Sequence, residues 1–139
     1  MTWGSFKYLN HTADLGIEVE GRTLEELFIN TAKAIFETQI NGEIDNKEEI
    51  SFELKSPSLE ELLVDWCREL IYNFAVRGFI PKDYDIKIIQ NFELCAHLNG
   101  DIFDKRRHQI KLEIKNATYH NLKVMKKNDI YVATIIFDV

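Results

Sequence analysis

After Gly78 the hydrophobic spacing turns from helical to alternating for the rest of the chain, and that change restricts the fold more than any other feature. Between Thr23 and Gly78 two stretches repeat every three or four residues, whereas from Tyr84 to Phe137 apolar and polar residues tend to alternate. The first helical stretch runs from Thr23 to about Thr38, with Leu24, Leu27, Phe28, Ala32, Ile35 and Phe36 on one stripe. Thr23 ahead of Leu24-Glu25-Glu26 forms a capping box whose acidic residues suit the positive end of the helix dipole. The second opens on Ser58, buries Leu59, Leu62, Leu63, Trp66, Leu70, Ile71 and Phe74, and ends at the cap Gly78, with Pro81 preventing resumption.

Strands are expected around Phe6 to Tyr8, Gly16 to Glu20, and Ile50 to Leu54 after a turn at Asn41-Gly42. Further strands follow at Ile86-Ile88 with Phe92, Leu94-Ala96-Leu98, Ile110-Leu112-Ile114, Leu122-Val124 and Tyr131 to Phe137. Asn99-Gly100-Asp101 and Lys127-Asn128-Asp129 read as turns, the latter making the last two strands a hairpin. The class implied is α+β, an antiparallel or mixed sheet sandwich with two main helices. With 139 residues, 45% of them hydrophobic, and no repeat or linker, the chain is expected to form a single domain over residues 1–139.

The net charge is −6, a poor electrostatic footprint for holding nucleic acid unaided, so any RNA contact is expected to be local or borrowed from a partner. The first residues contain no apolar run of signal-peptide length and no stretch approaches a membrane span of about 20 residues, so the expected setting is cytoplasmic, with no membrane contact. Cys67 and Cys95 form no C-x-x-C pair and read as reduced, partly buried thiols.

Three clusters could carry chemistry. His11, Thr12 and Asp14 stand in a loop between two strands, which either positions a ligand or satisfies its own backbone donors in an Asx-type turn. Lys115-Asn116-Ala117-Thr118-Tyr119-His120 offers acid-base groups or phosphate donors, or else a solvated strand edge. Ile135-Ile136-Phe137-Asp138-Val139 stops on a carboxylate followed by the last residue's own main-chain carboxylate. Such a set either holds a hard cation or frays into solvent. Lys105-Arg106-Arg107-His108 and Lys126-Lys127 are basic clusters in expected loops, available to phosphates or an acidic partner surface.

Taken together these clusters resemble the archease family, small proteins that assist RtcB-type RNA ligases. The matching elements are His11-Thr12-Ala13-Asp14-Leu15-Gly16, the helix Leu59-Glu60-Glu61-Leu62-Leu63-Val64-Asp65-Trp66, Gly100 to His108, Lys115 to His120, and Phe137-Asp138-Val139. The order is preserved over nearly the whole length. The resemblance implies an α/β sandwich fold and an activator, not an enzyme, that promotes guanylylation and multiple turnover of the ligase, which joins RNA ends in tRNA splicing with GTP and manganese. It implies a divalent cation, usually described as calcium, held by Asp14, Asp138 and the main-chain carboxylate of Val139. Lys115 matches a position linked to ligase activation, and tRNA would be met through the ligase. His11, Tyr119 and His120 match motif positions without a defined role, and Asn116 stands where the family commonly has Ala.

Two other readings compete. One is a metal-dependent phosphoesterase, with Asp14 and Asp138 holding the ion and His11 or His120 as base. The other is a chaperone-like modulator of a tRNA-modifying enzyme, working through an apolar patch.

Overall fold

Both expected helices form between their caps. The Thr23 hydroxyl oxygen accepts from the Glu26 N–H at 3.0 Å, and the Glu26 carboxylate accepts from the Arg22 N–H at 3.0 Å. Ser58 accepts likewise from the Glu61 N–H at 3.1 Å. Gly78 ends the second helix in the left-handed conformation, φ 69°, donating its N–H to the Phe74 carbonyl at 2.8 Å. The structure, a computed structural model, describes residues 6–9 and 14–139. In chain order these form β1 (Phe6–Leu9), β2 (Asp14–Gly21), α1 (Leu24–Gln39), β3 (Ile40–Asn41), β4 (Glu48–Lys55) and α2 (Leu59–Arg77). There follow β5 (Phe79–Ile89), β6 (Glu93–Ile102), β7 (Gln109–Ile110), β8 (Asn116–Thr118), β9 (Val124–Lys127) and β10 (Ile130–Asp138).

Among the described residues every strand pairing is antiparallel. One sheet runs β1-β2-β10-β8, with β9 also paired to β10; a second runs β4-β6-β5, and β3 pairs with β7. Helix α1 packs on β2 and β10 of the first sheet and on β5 of the second, while α2 packs on β8 and on all three strands of the second. The helices therefore form a middle layer, which is why so few of their positions face solvent. Ile17, Val19, Ala117, Ala133, Ile135 and Phe137 supply the first sheet's inner face, and Ile50, Leu94, Ala96 and Leu98 the second's. The result is the expected α+β class. Among the described residues no helix is long and apolar enough to cross a membrane.

Several local expectations are corrected. Asn99-Gly100-Asp101 is not a turn: it lies inside β6, with Gly100 facing Glu48 on one side and Pro81 on the other. A Cβ at Gly100 would stand 2.0 Å from the Ile80 carbonyl oxygen and 2.8 Å from the Pro81 Cα, so this glycine permits close backbone approach beside the bulge between Pro81 and Asp83. Gly100→Ala is expected to cost at least about 1–3 kcal/mol, the range for overpacking, because backbone and not a flexible side chain must give way. A urea melt measures it.

Strand β5 starts at Phe79 and runs through Pro81, which the sheet tolerates at an edge strand next to a bulge. Of Ile110-Leu112-Ile114 only Ile110 lies in a strand. The segment is held instead by Gln39, whose carbonyl accepts from the Lys111 N–H at 2.7 Å and whose side-chain oxygen accepts from the Ile114 N–H at 3.0 Å. Phe92 belongs to the turn after β5, with φ 53°. Lys126 and Lys127 lie in strand β9 and not in a loop. Asn128 and Asp129, both at positive φ, close the expected final hairpin. Cys95 points outward from β6 and is exposed, contrary to the expected partial burial, whereas Cys67 is fully buried and burial pushes its thiol up.

Candidate functional site at one end of the five-stranded sheet

Three strands place their ends side by side. Asp138 of β10 pairs with Asp14 of β2 on one side and with Asn116 of β8 on the other. Directly opposed residues of an antiparallel pair share a face, with Cβ atoms about 4.5–5.5 Å apart, and like charges so placed destabilise the ladder. The rung behind them, Leu15, Phe137 and Ala117, points the other way, and Phe137 and Ala117 are fully buried in the core. That burial fixes the register of the acidic rung, since a slip of one residue would turn Phe137 outward.

Lys115 joins this end through its backbone, donating its N–H to the Asp138 carbonyl at 2.8 Å. Its side chain is exposed, as are Asp138 and Val139, while Asp14 is half-buried. Asn116 turns its side-chain oxygen to the Ala117 N–H at 3.0 Å. His11, Thr12 and Ala13 lie outside the described residues.

Among the described residues no group of three His, Cys, Asp or Glu side chains is gathered as a metal site. The acidic side chains brought together here are the two carboxylates of Asp14 and Asp138. Oxygen donors alone suit a hard cation, and two opposed carboxylates have a repulsion that a cation offsets.

A side chain that sequence reasoning missed supports this edge. Arg68 of α2 donates to the Ala117 carbonyl from Nε at 3.2 Å and Nη2 at 3.1 Å, and its guanidinium lies 4.9 Å from the centre of the Tyr119 ring. Glu60 of the same helix accepts from the Val124 N–H at 3.1 Å. No spacing rule singles out Arg68, because its partner is a backbone carbonyl on another element. Tyr119 and His120 occupy a turn closed by Leu122 N–H to the Tyr119 carbonyl at 3.1 Å, with Asn121 at φ 53°. No hydrogen bond or ion pair among the described residues joins Tyr119, His120 or the Lys115 side chain to the two carboxylates.

The basic cluster Lys105-Arg106-Arg107-His108 is largely engaged internally. Arg106 pairs with Asp104, whose carboxyl it brings down to about 2. Arg107 grips Asp101 with two bonds, Nη1 to Oδ2 at 2.9 Å and Nη2 to Oδ1 at 3.1 Å, and holds that carboxyl well below the usual range. Buried His108 accepts at Nδ1 from the Asp104 N–H at 2.9 Å, so its proton sits on Nε2 and is donated to the Glu43 carbonyl at 2.9 Å. These contacts clasp residues 101–108 to the segment around Asp45, leaving little of the cluster for phosphates.

A two-helix middle layer between antiparallel sheets, with opposed carboxylates at one sheet end, defines a class of small α+β proteins. Residues 6–139 match the model of the Archease protein family (MTH1598/TM1083). Protein archease of Methanosarcina barkeri (strain Fusaro / DSM 804) is 35% identical over 96% of this chain and 95% of its own. That of Pyrococcus furiosus is 36% identical over 89% and 90%. The solution structure of Methanobacterium thermoautotrophicum Protein 1598 superposes with a TM-score of 0.80 at 27% identity, covering 96% of this chain and 98% of that one. The crystal structure of a Thermotoga maritima archease, described as a possible chaperone, gives 0.67 at 26% identity and 96% of both chains. The chain belongs to the archease family.

Proposed function

We propose that this protein activates an RtcB-type RNA ligase in the cytoplasm, promoting its guanylylation and repeated turnover in tRNA splicing and RNA repair, and meets tRNA through that ligase. The observation that carries the reading is the rung Asp14, Asp138 and Asn116, with Lys115 bonded to the Asp138 carbonyl, at the exposed end of a sheet whose register the core fixes. In this reading Asp14, Asp138 and the main-chain carboxylate of Val139 hold a divalent cation, with calcium suited to the all-oxygen donor set. Bound there, the cation would offset the repulsion of the carboxylates and order the tip. Asn116 keeps its amide on the backbone beside the carboxylates, and Lys115 stands free to reach an anionic group on the ligase.

The tip acts on the ligase only by contacting its two states differently, since a partner with equal affinity for both shifts nothing. With purified ligase, GTP and manganese, Asp138→Ala and Lys115→Ala are each expected to slow ligase guanylylation at least tenfold while leaving the thermal midpoint of this exposed site nearly unchanged. Guanylylation rates equal to those of the native chain would refute the reading. Calcium titration of a metal-free sample tests the donor set: extension of the chain beyond Val139 should weaken binding as Asp14→Ala does.

The description of the Thermotoga maritima relative as a possible chaperone favours a second reading, a modulator of an RNA-modifying enzyme. Capture of that enzyme undiminished by Asp14→Ala would favour it over activation through the acidic tip.

A further inference from the structure

Charge is segregated along this chain. Residues 105–127 carry eight Lys or Arg and a single acidic residue, Glu113, within a protein of net charge −6. The fold then sorts these cations. Arg106 and Arg107 are paired with Asp104, Asp101 and Asp45, whereas the cations after residue 114 lie along the outer edge of the five-stranded sheet, where β8 and β9 run one after the other beside β10. Lys115, Lys123 and Lys127 are exposed there and make no ion pair among the described residues.

Unpaired lysines on a sheet edge often guard it against pairing with another strand. Here that task is already partly done, because Arg68 occupies the Ala117 carbonyl and Glu60 the Val124 N–H. The same caps disfavour an added peptide strand, so a partner would be recognised by side chains. Two exposed aromatic rings accompany the lysines: Tyr119, 45% exposed and backed by the Arg68 guanidinium, and Tyr72, 61% exposed, one helical turn from Arg68 on the same face of α2. Lysines without counter-charges beside open ring faces fit phosphates and unstacked bases better than they fit an acidic protein surface, which has no use for the rings.

We infer that the β8–β9 edge binds single-stranded RNA directly, its lysines on the phosphate backbone and Tyr119 and Tyr72 as stacking surfaces for bases. This goes beyond the activator reading, in which RNA is met only through the ligase. The overall negative charge confines the contact to this edge and makes it weak and strongly salt-dependent. Neutralising three phosphates gives a slope of log affinity on log salt near about −2, at roughly −0.7 per contact on a single strand.

The test is fluorescence anisotropy of a labelled single-stranded RNA twelve-mer with the full chain, titrated between low and physiological salt. Lys123→Glu with Lys127→Glu, and separately Lys123→Gln with Lys127→Gln, should lower affinity at least tenfold and flatten the slope by about 1.4. Tyr119→Ser should lower affinity severalfold and leave the slope unchanged. No saturable binding at low salt, affinity unaltered by both double variants, or equally tight binding of polyglutamate would overturn the inference. Guanylylation of the ligase measured without RNA should be unaffected by the Lys123 and Lys127 variants, so failure here and failure of the activator reading are separately visible.

Discussion

Arg107→Met is expected to lower stability by about 3 kcal/mol at neutral pH, and by progressively less as the pH falls below about 4. Asp101 is 1% exposed and holds two backbone donors, the Asp45 N–H at 2.9 Å and the Ile102 N–H at 2.8 Å; His108 Nε2 lies 3.5 Å away, and the permanent cation paired with it among the described residues is Arg107. Removing one member of a buried pair leaves the other charge uncompensated, at about 3–5 kcal/mol. The lower end applies because the two amide donors remain and the Arg107 side chain is 33% exposed. The sign with pH follows from the direction of the shift. Asp101 is held below its unfolded value of about 4, so its contribution is present above that pH and is lost as the pH falls toward the native value. The variant never has that contribution, so the gap between the two proteins narrows on acidification. Urea melts at pH 7 and pH 3 measure it, and a gap independent of pH would contradict an electrostatic origin.

Trp66→Ala is expected to cost about 3–5 kcal/mol, a large share of the stability of a chain this size. The indole is fully buried, tilted against Phe28 of α1 at 6.2 Å and Phe52 of β4 at 5.8 Å, and it donates Nε1–H to the Phe28 carbonyl at 2.8 Å. One side chain thus ties both helices to the second sheet. Trp66→Phe fills part of the same space without the donor and should lose only about 1–2 kcal/mol. Equal losses in the two variants would show that the hydrogen bond, and not the cavity, dominates.

The contrast between these residues and the acidic rung shows what a sequence can disclose. Thr23, Ser58 and Gly78 act on backbone groups within four or five positions, so the helix ends were readable locally. Gly100 carries the same local signal as a turn glycine, and what makes it a strand glycine is the Ile80 carbonyl on another element. Gln39 substituted for a strand partner along residues 111–114, an arrangement no periodicity announces. Each carboxylate of the candidate site was visible alone. Their pairing depends on β2 and β10 meeting across almost the whole chain in one register, which periodicity does not encode and only resemblance to a family suggested.

The place of β10 has a bearing on how the protein is made. It is the second-last strand across its sheet, with β2 on one side and β8 and β9 on the other, yet it is built from residues 130–138. During synthesis β2 is left with one edge unpaired until that segment emerges. A product interrupted before residue 130 lacks the strand that joins the sheet as well as Asp138. Folding competence and possession of the acidic tip are thereby acquired in the same step.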